Sequence, residues 1–188
     1  MQPPARTLWT IGHSTRSWED FLALLQGTPS QGPSIACLAD VRRFAGSRRN
    51  PQYSPADMGP ALAAAGIDYV PMPEFGGRRA PAADSRNGAW RVAAFRGYAD
   101  YMATPEFALA RERLMERASA QRTAVMCAEA VWWRCHRRLI ADDFVARGWT
   151  VLHVMGPGKV QPHELNPDAR MSGDTLVYPS SPDQEALF

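Results

Sequence analysis

Residues 123–155, TAVMCAEAVWWRCHRRLIADDFVARGWTVLHVM, decide the fold. Thr123 to Met126 is a short apolar run of β type. Arg134 to Arg147 carries Leu139, Ile140, Phe144 and Val145 at helical spacing, and Gly148 supplies a left-handed stop. Trp149 to Met155 is a second β-type run. A strand, a helix and a strand joined by short turns imply a parallel pair with a right-handed crossover.

The same unit recurs toward the amino terminus. Leu8 to Ile11 is a strand that stops at Gly12-His13-Ser14, and Ser17 with Asp20 three residues later opens a helix over Trp18 to Gln26. Ile35 to Val41 is a buried strand, Arg42 to Tyr53 a polar loop, and Ser54-Pro55 the cap and first position of a helix that ends at Ala65 before Gly66. Ile67 to Met72 is a third strand. The loop from Pro73 to Ala89 is long enough to be a lid or rim. Helices follow at Trp90 to Met102 and Pro105 to Gln121, the second capped by Thr104. The alternation predicts an α/β fold, a three-layer domain with a mostly parallel sheet of about five strands and helices on both faces. Residues 1–156 form this single domain, and residues 157–188 are expected to be a Pro-rich, acidic C-terminal extension.

Composition agrees. The chain has 188 residues, 45% hydrophobic and 21% charged, the balance of a globular domain with a real core. No run reaches the roughly 18 apolar residues of a membrane span, and the first residues lack a signal peptide's apolar core, so no membrane partner and a cytoplasmic location are expected. Three cysteines, Cys37, Cys127 and Cys135, fit reduced thiols better than a disulfide scaffold. The 21 basic residues comprise 20 arginines and one lysine, Lys159. A GC-rich codon bias explains the choice of arginine, but not where the arginines fall.

In parallel α/β sheets ligands bind beyond the carboxyl ends of the strands. Here those ends carry Gly12, His13 and Ser14; Asp40, Arg42, Ser47 and Arg48; Glu74, Gly76, Gly77 and Arg78; and Cys127, Glu129, Trp132, Trp133, Cys135, His136 and Arg137. Nine arginines fall on this rim, a pattern suited to phosphate or carboxylate recognition.

The ordered motifs Thr10-Ile11-Gly12-His13-Ser14, Asp40-Val41-Arg42 with Ser47-Arg48, Tyr69 with Glu74-Phe75-Gly76-Gly77-Arg78, Gly97-Tyr98-Ala99-Asp100-Tyr101-Met102, Cys127-Ala128-Glu129 and Cys135-His136-Arg137 together resemble the Domain-of-Unknown-Function 488 family. The resemblance spans Leu8 to Val154. It implies the α/β fold and a shared site, but no established reaction. Phe75, where leucine is more usual, and the aromatic Ala130-Val131-Trp132-Trp133-Arg134 segment depart from the family pattern.

Among the candidate catalytic residues, Glu129 comes first, Asp40 second, and His13 is a candidate base or phosphate donor. A carboxylate desolvated among aromatics activates water or stabilises a sugar cation, whereas the plainer role is an ion pair that fixes a loop. Cys135 at a helix start fits an anion site or a lowered-pKa thiol, or else simple packing. Cys127, Cys135 and His136 are a weak zinc alternative without C-x-x-C spacing, so no cofactor is expected. Trp132 and Trp133 offer a surface for stacking a base.

At the carboxyl terminus Gln184-Glu185-Ala186-Leu187-Phe188 resembles the peptide by which bacterial replication and repair proteins dock on the DNA sliding clamp; the alternative is that Leu187 and Phe188 cover their own domain. The leading expectation is an intracellular hydrolase acting on a nucleic acid or nucleotide-type substrate, at a modified or damaged base. The rivals are an enzyme of small phosphate- or carboxylate-containing metabolites, and a non-catalytic nucleic-acid or protein-binding module.

Overall fold

The computed structural model describes residues 6–27, 34–46 and 48–180. Its main sheet is built from β1 (Thr7–Gly12), β2 (Cys37–Asp40), β3 (Asp68–Pro71), β4 (Thr123–Cys127), β5 (Thr150–Gly156) and β6 (Lys159–Pro162), in the order β3-β2-β4-β1-β5-β6. The first five are mutually parallel, and β6 turns back antiparallel along β5 past a register shift between Val154 and Gly156. β1, β2 and β4 are buried along their whole length, which is why they read as continuous apolar runs.

Two helices, α1 (Trp18–Gln26) and α2 (Pro55–Ala64), cover one face. Their starts follow the sequence signals: the Ser17 and Ser54 side chains accept from the amides of Asp20 and Asp57. Phe21, Leu24 and Leu25 of α1 and Met58 and Leu62 of α2 pack there with Trp9, Ile11, Leu38 and Met126. The opposite face carries α3 (Ala93–Tyr101), α4 (Pro105–Ala120) and α5 (Arg137–Ala146), whose Tyr98, Phe107, Leu114, Ile140 and Phe144 pack with Leu8, Ala39 and Val125. The result is the expected three-layer α/β arrangement, with one strand more than expected.

The helix expected from Arg134 starts three residues later. A short 3-10 turn at Trp132–Arg134 comes first, because Cys135 is extended and interrupts the helical bonds. Trp90 likewise precedes α3, its ring packed edge-on against Phe95 and Tyr178.

The segment after Gly156 supplies β6 and then a hairpin of β7 (Arg170–Ser172) and β8 (Thr175–Val177). Ala169, Leu176 and Tyr178 enter the larger core, and Asp174 at the hairpin turn is paired with Arg111 of α4 and with Arg147, which caps the end of α5. No helix among the described residues is long and apolar enough to cross a membrane.

Candidate functional site

The loops leaving β1, β2, β3 and β4 meet at one end of the sheet. They enclose a cleft with two adjoining lobes of about 280 and about 260 Å³. Arg42, Phe44, Ala128 and Glu129 line both lobes; the first adds Arg43, Arg78, Phe95, Arg134, Cys135 and His136, the second His13, Ser14 and Asn50.

Close backbone approach builds the wall between the lobes. The amides of His13 and Ser14 bond to the carbonyls of Cys127 and Ala128, which carries the β1–β4 ladder past the strand ends. A side chain at Gly12 would collide with the Glu129 carbonyl. That carbonyl also accepts from Arg137 Nη2 at 2.6 Å, so the backbone of Glu129 is fixed while its side chain is exposed. Among the described residues the Glu129 carboxylate has neither an ion pair nor a hydrogen bond.

Asp40 is differently placed. It is buried, with its oxygens engaged by Arg42 Nε at 2.8 Å, Arg42 Nη2 at 2.7 Å and the Tyr69 hydroxyl at 2.7 Å. Arg42 also donates to the Tyr53 carbonyl and meets His13 Nε2 at 3.3 Å. His13 Nδ1–H donates to the Ser14 carbonyl, which leaves Nε2 as the acceptor toward Arg42, and the ring stacks on Tyr53 at 4.1 Å. Burial, reinforced by the charge of Arg42 and offset only partly by the Ser14 carbonyl, lowers the His13 pKa to about 4. His13 is therefore neutral near pH 7 with both ring nitrogens occupied.

Three cations on the cleft, Arg43, Arg78 and Arg134, are exposed and have no carboxylate partner among the described residues. Phe44 beside them is 68% exposed. Two non-glycine residues of the cleft hold left-handed backbones, Ser14 at φ 53° and Arg78 at φ 61°, conformations that cost energy and cluster at binding sites.

The other arginines of the expected rim serve the scaffold. Arg79 lies over the Tyr101 ring at 3.6 Å and donates to the carbonyls of Gly76 and Glu74; Arg138 lies over Trp90. Arg48 is exposed outside both lobes, and Ser47 lies outside the described residues, as do Gln184, Leu187 and Phe188. Glu74 pairs with Arg113 of α4 at 2.7 Å and lines neither lobe. Gly76 packs on the Arg43 backbone and Gly77 on the His136 ring, where an added methyl would stand 2.9 Å from Nδ1.

The loop after β3 is held rather than free. The Asp100 carboxylate accepts from the Ala82 amide, Ser85 and Asn87, while the Tyr98 and Tyr101 hydroxyls bond to the carbonyls of Phe75 and Glu74. This gives a structural account of the Gly97–Met102 motif.

Trp132 and Trp133 do not line the cleft. Trp132 stacks on His153 at 4.3 Å, with the partly exposed Trp133 set edge-on against it. Beneath Trp132 runs a buried chain of hydrogen bonds that sequence reading missed. Asp142 accepts from His163 Nε2 at 2.9 Å, His163 Nδ1 meets His153 Nε2 at 2.9 Å, and His153 Nδ1 meets Thr10 Oγ1 at 2.6 Å. Because the Asp142 carboxylate only accepts, the donors run in one direction from Thr10 to Asp142. Arg137 Nη1 donates to Thr10 and joins this chain to the cleft wall. Asp142 stands next to Asp143 in the apolar stretch Leu139–Ala146, and only its contacts with distant parts of the chain mark it out.

Cys127 and Cys135 are free thiols whose sulfurs stand 2.8 Å apart. Two thiolates on one tetrahedral zinc would stand about 3.8 Å apart. Among the described residues no group of three or more His, Cys, Asp or Glu side chains is placed to hold a metal ion.

A family model described as Domain of unknown function DUF488 matches residues 22–144, well over half of the chain. No curated protein and no solved structure matches.

Proposed function

The chain belongs to the family described as Domain of unknown function DUF488, and from that premise we propose that its cleft is the active site of a hydrolase for a nucleic acid or nucleotide-type substrate. The observation that carries this reading is the pairing of opposites left unneutralised. Among the described residues the Glu129 carboxylate has no ion pair, and the Arg43, Arg78 and Arg134 guanidiniums that share its cleft have no carboxylate partner, Arg43 reaching only the Arg78 carbonyl and the Phe44 ring. Unpaired guanidiniums suit phosphate oxygens, and the exposed Phe44 ring suits the face of a base.

In this reading the phosphate binds the arginines and the base packs on Phe44 and Phe95. Glu129 takes a proton from the water that attacks the sugar carbon, and the bond from that carbon to the modified or damaged base breaks. The base leaves with the bonding electrons and is protonated from solvent, to which Glu129 returns its proton. Asp40 and His13 hold Arg42 at the septum between the lobes. The tail ending Gln184-Glu185-Ala186-Leu187-Phe188 belongs to the same proposal as a docking peptide for the sliding clamp, to be tested by binding of the tail peptide to the clamp.

The deciding experiment compares wild type with Glu129→Gln on free nucleotides and on oligonucleotides carrying modified bases. Release of free base should fall by about 10²- to 10⁴-fold with binding retained. Equal turnover by the variant would sink the assignment of Glu129. Binding of nucleotides but not oligonucleotides would move the substrate to small phosphate metabolites, and binding without turnover would make the chain a recognition module.

A further inference from the structure

The buried end of the first lobe contains chemistry the hydrolytic reading does not use. Cys127 ends β4 and Cys135 precedes α5; both line the lobe, at 2% and 4% exposure, with sulfurs 2.8 Å apart. Arg137 is 1% exposed and, among the described residues, has no carboxylate partner. Its Nη atoms bond to Thr10 and to the Glu129 and Ala130 carbonyls, while its Nε–H is buried without an acceptor. A buried guanidinium without a counterion is costly, and the two thiols are the nearby groups able to supply a negative charge.

Local geometry selects Cys135 to carry it. The sulfur of Cys135 accepts from the Arg137 amide at 3.5 Å and sits beside Cys127. His136 Nε2–H donates to the Val41 carbonyl at 3.2 Å, so Nδ1, 3.5 Å from the same sulfur, is left as an acceptor for the thiol proton. Burial opposes a charge on either thiol. At Cys135 the hydrogen bond from Cys127 and the neighbouring His136 and Arg137 outweigh burial and hold the thiol well below its ordinary range, whereas burial and the Cys135 charge push Cys127 up.

We propose that Cys135 and Cys127 form a second reactive centre, a dithiol that reduces small hydroperoxides, with Cys135 as the attacking thiolate and Cys127 as the resolving thiol. The near-complete burial of both sulfurs favours an oxidant as small as hydrogen peroxide over a bulky disulfide. The Cys135 thiolate attacks one peroxide oxygen, the O–O bond breaks, and the hydroxide that leaves takes back, as water, the proton that Cys135 had given to His136. The Cys127 sulfur then attacks the Cys135 sulfenic acid. A sulfur–sulfur bond forms, the sulfur–oxygen bond breaks, and the departing hydroxide takes the Cys127 proton as a second water. Two thiols lose two electrons and the peroxide gains them; an external thiol reductant restores the pair.

The test uses the full reduced chain without nucleotide, so that its outcome is separate from that of the cleft reading. Stoichiometric hydrogen peroxide, alkylation of the remaining thiols and peptide mass mapping should show a loss of about 2 Da, a Cys127–Cys135 bridge, Cys37 still alkylated, and reversal by dithiothreitol. Cys37, a buried thiol of the same chain, is the internal rate control, and Cys135 should react at least about tenfold faster. Cys127→Ser should stop at a Cys135 sulfenic acid trapped by dimedone. Oxidation of Cys37 at the same rate, a bridge that includes Cys37, or no bridge at all would each overturn the proposal, and the wild-type map decides it even if the variant does not fold.

Discussion

The Arg42 guanidinium spans the Asp40 carboxylate, with Nε 2.8 Å from one oxygen and Nη2 2.7 Å from the other, and both residues are buried. The pair serves to aim Arg42 between the two lobes, where its remaining nitrogen meets His13. Asp40→Asn should strand a buried cation and destabilise the fold by about 3–5 kcal/mol, seen as a lower denaturant midpoint. An unchanged midpoint would mean that the pair is not sustained in solution.

Arg43→Ala and Arg134→Ala remove exposed, unpaired charges, so stability should change by no more than about 0.5 kcal/mol. Binding of a phosphorylated ligand should weaken, and for an oligonucleotide the slope of log affinity against log salt should become shallower by about one for each arginine lost. A titration across salt concentrations reads both effects together.

Gly12→Ala places a methyl group into the Glu129 carbonyl and against the Arg137 guanidinium. A buried backbone cannot give way cheaply, so a loss of about 3 kcal/mol or more is expected. Thermal unfolding checks this. A stable variant would show that the β1 and β4 loops can separate.

His13 and His153 are both buried, and both have lowered pKa values, about 4 and about 3. For His153 burial is the main cause, with His163 and Arg137 adding to it. In the unfolded chain each takes up a proton near pH 6.5, so below that pH the unfolded state binds more protons and stability falls. The loss should begin near pH 6.5 and continue to about 4 for His13 and about 3 for His153, reaching about 3 kcal/mol for His13 alone. Denaturant melts from pH 7 to 4 measure the slope, and His13→Gln should reduce it.

Much of the scaffold was legible in the sequence because its signals are local. The Ser17, Ser54 and Thr104 caps mark helix starts, and the apolar runs at β1, β2 and β4 mark strands buried on both faces. The convergence of Glu129 with Arg42, Arg43, Arg78 and Arg134 follows from the same alternation, since every parallel strand delivers its following loop to one end. What escaped depends on contacts distant in the chain. β6 is four exposed residues with no alternating pattern, held by its pairing with β5. The Thr10–His153–His163–Asp142 chain joins residues from β1, β5, α5 and the segment after β6, and no spacing in the sequence announces that meeting. Trp132 looked like a ligand platform by composition, but it serves as the cover of those histidines.

Both outer strands of the sheet finish in proline, Pro71 on β3 and Pro162 on β6, and β6 begins at the only lysine of the chain. Proline has no amide hydrogen to offer a neighbouring strand, and an edge lysine resists burial. Together with the register shift beside β6, they make the margins of the sheet poor templates for a further strand. A strand from a second copy laid along either margin would lack one ladder bond, at Pro71 or at Pro162, which disfavours growth of the sheet by edge pairing.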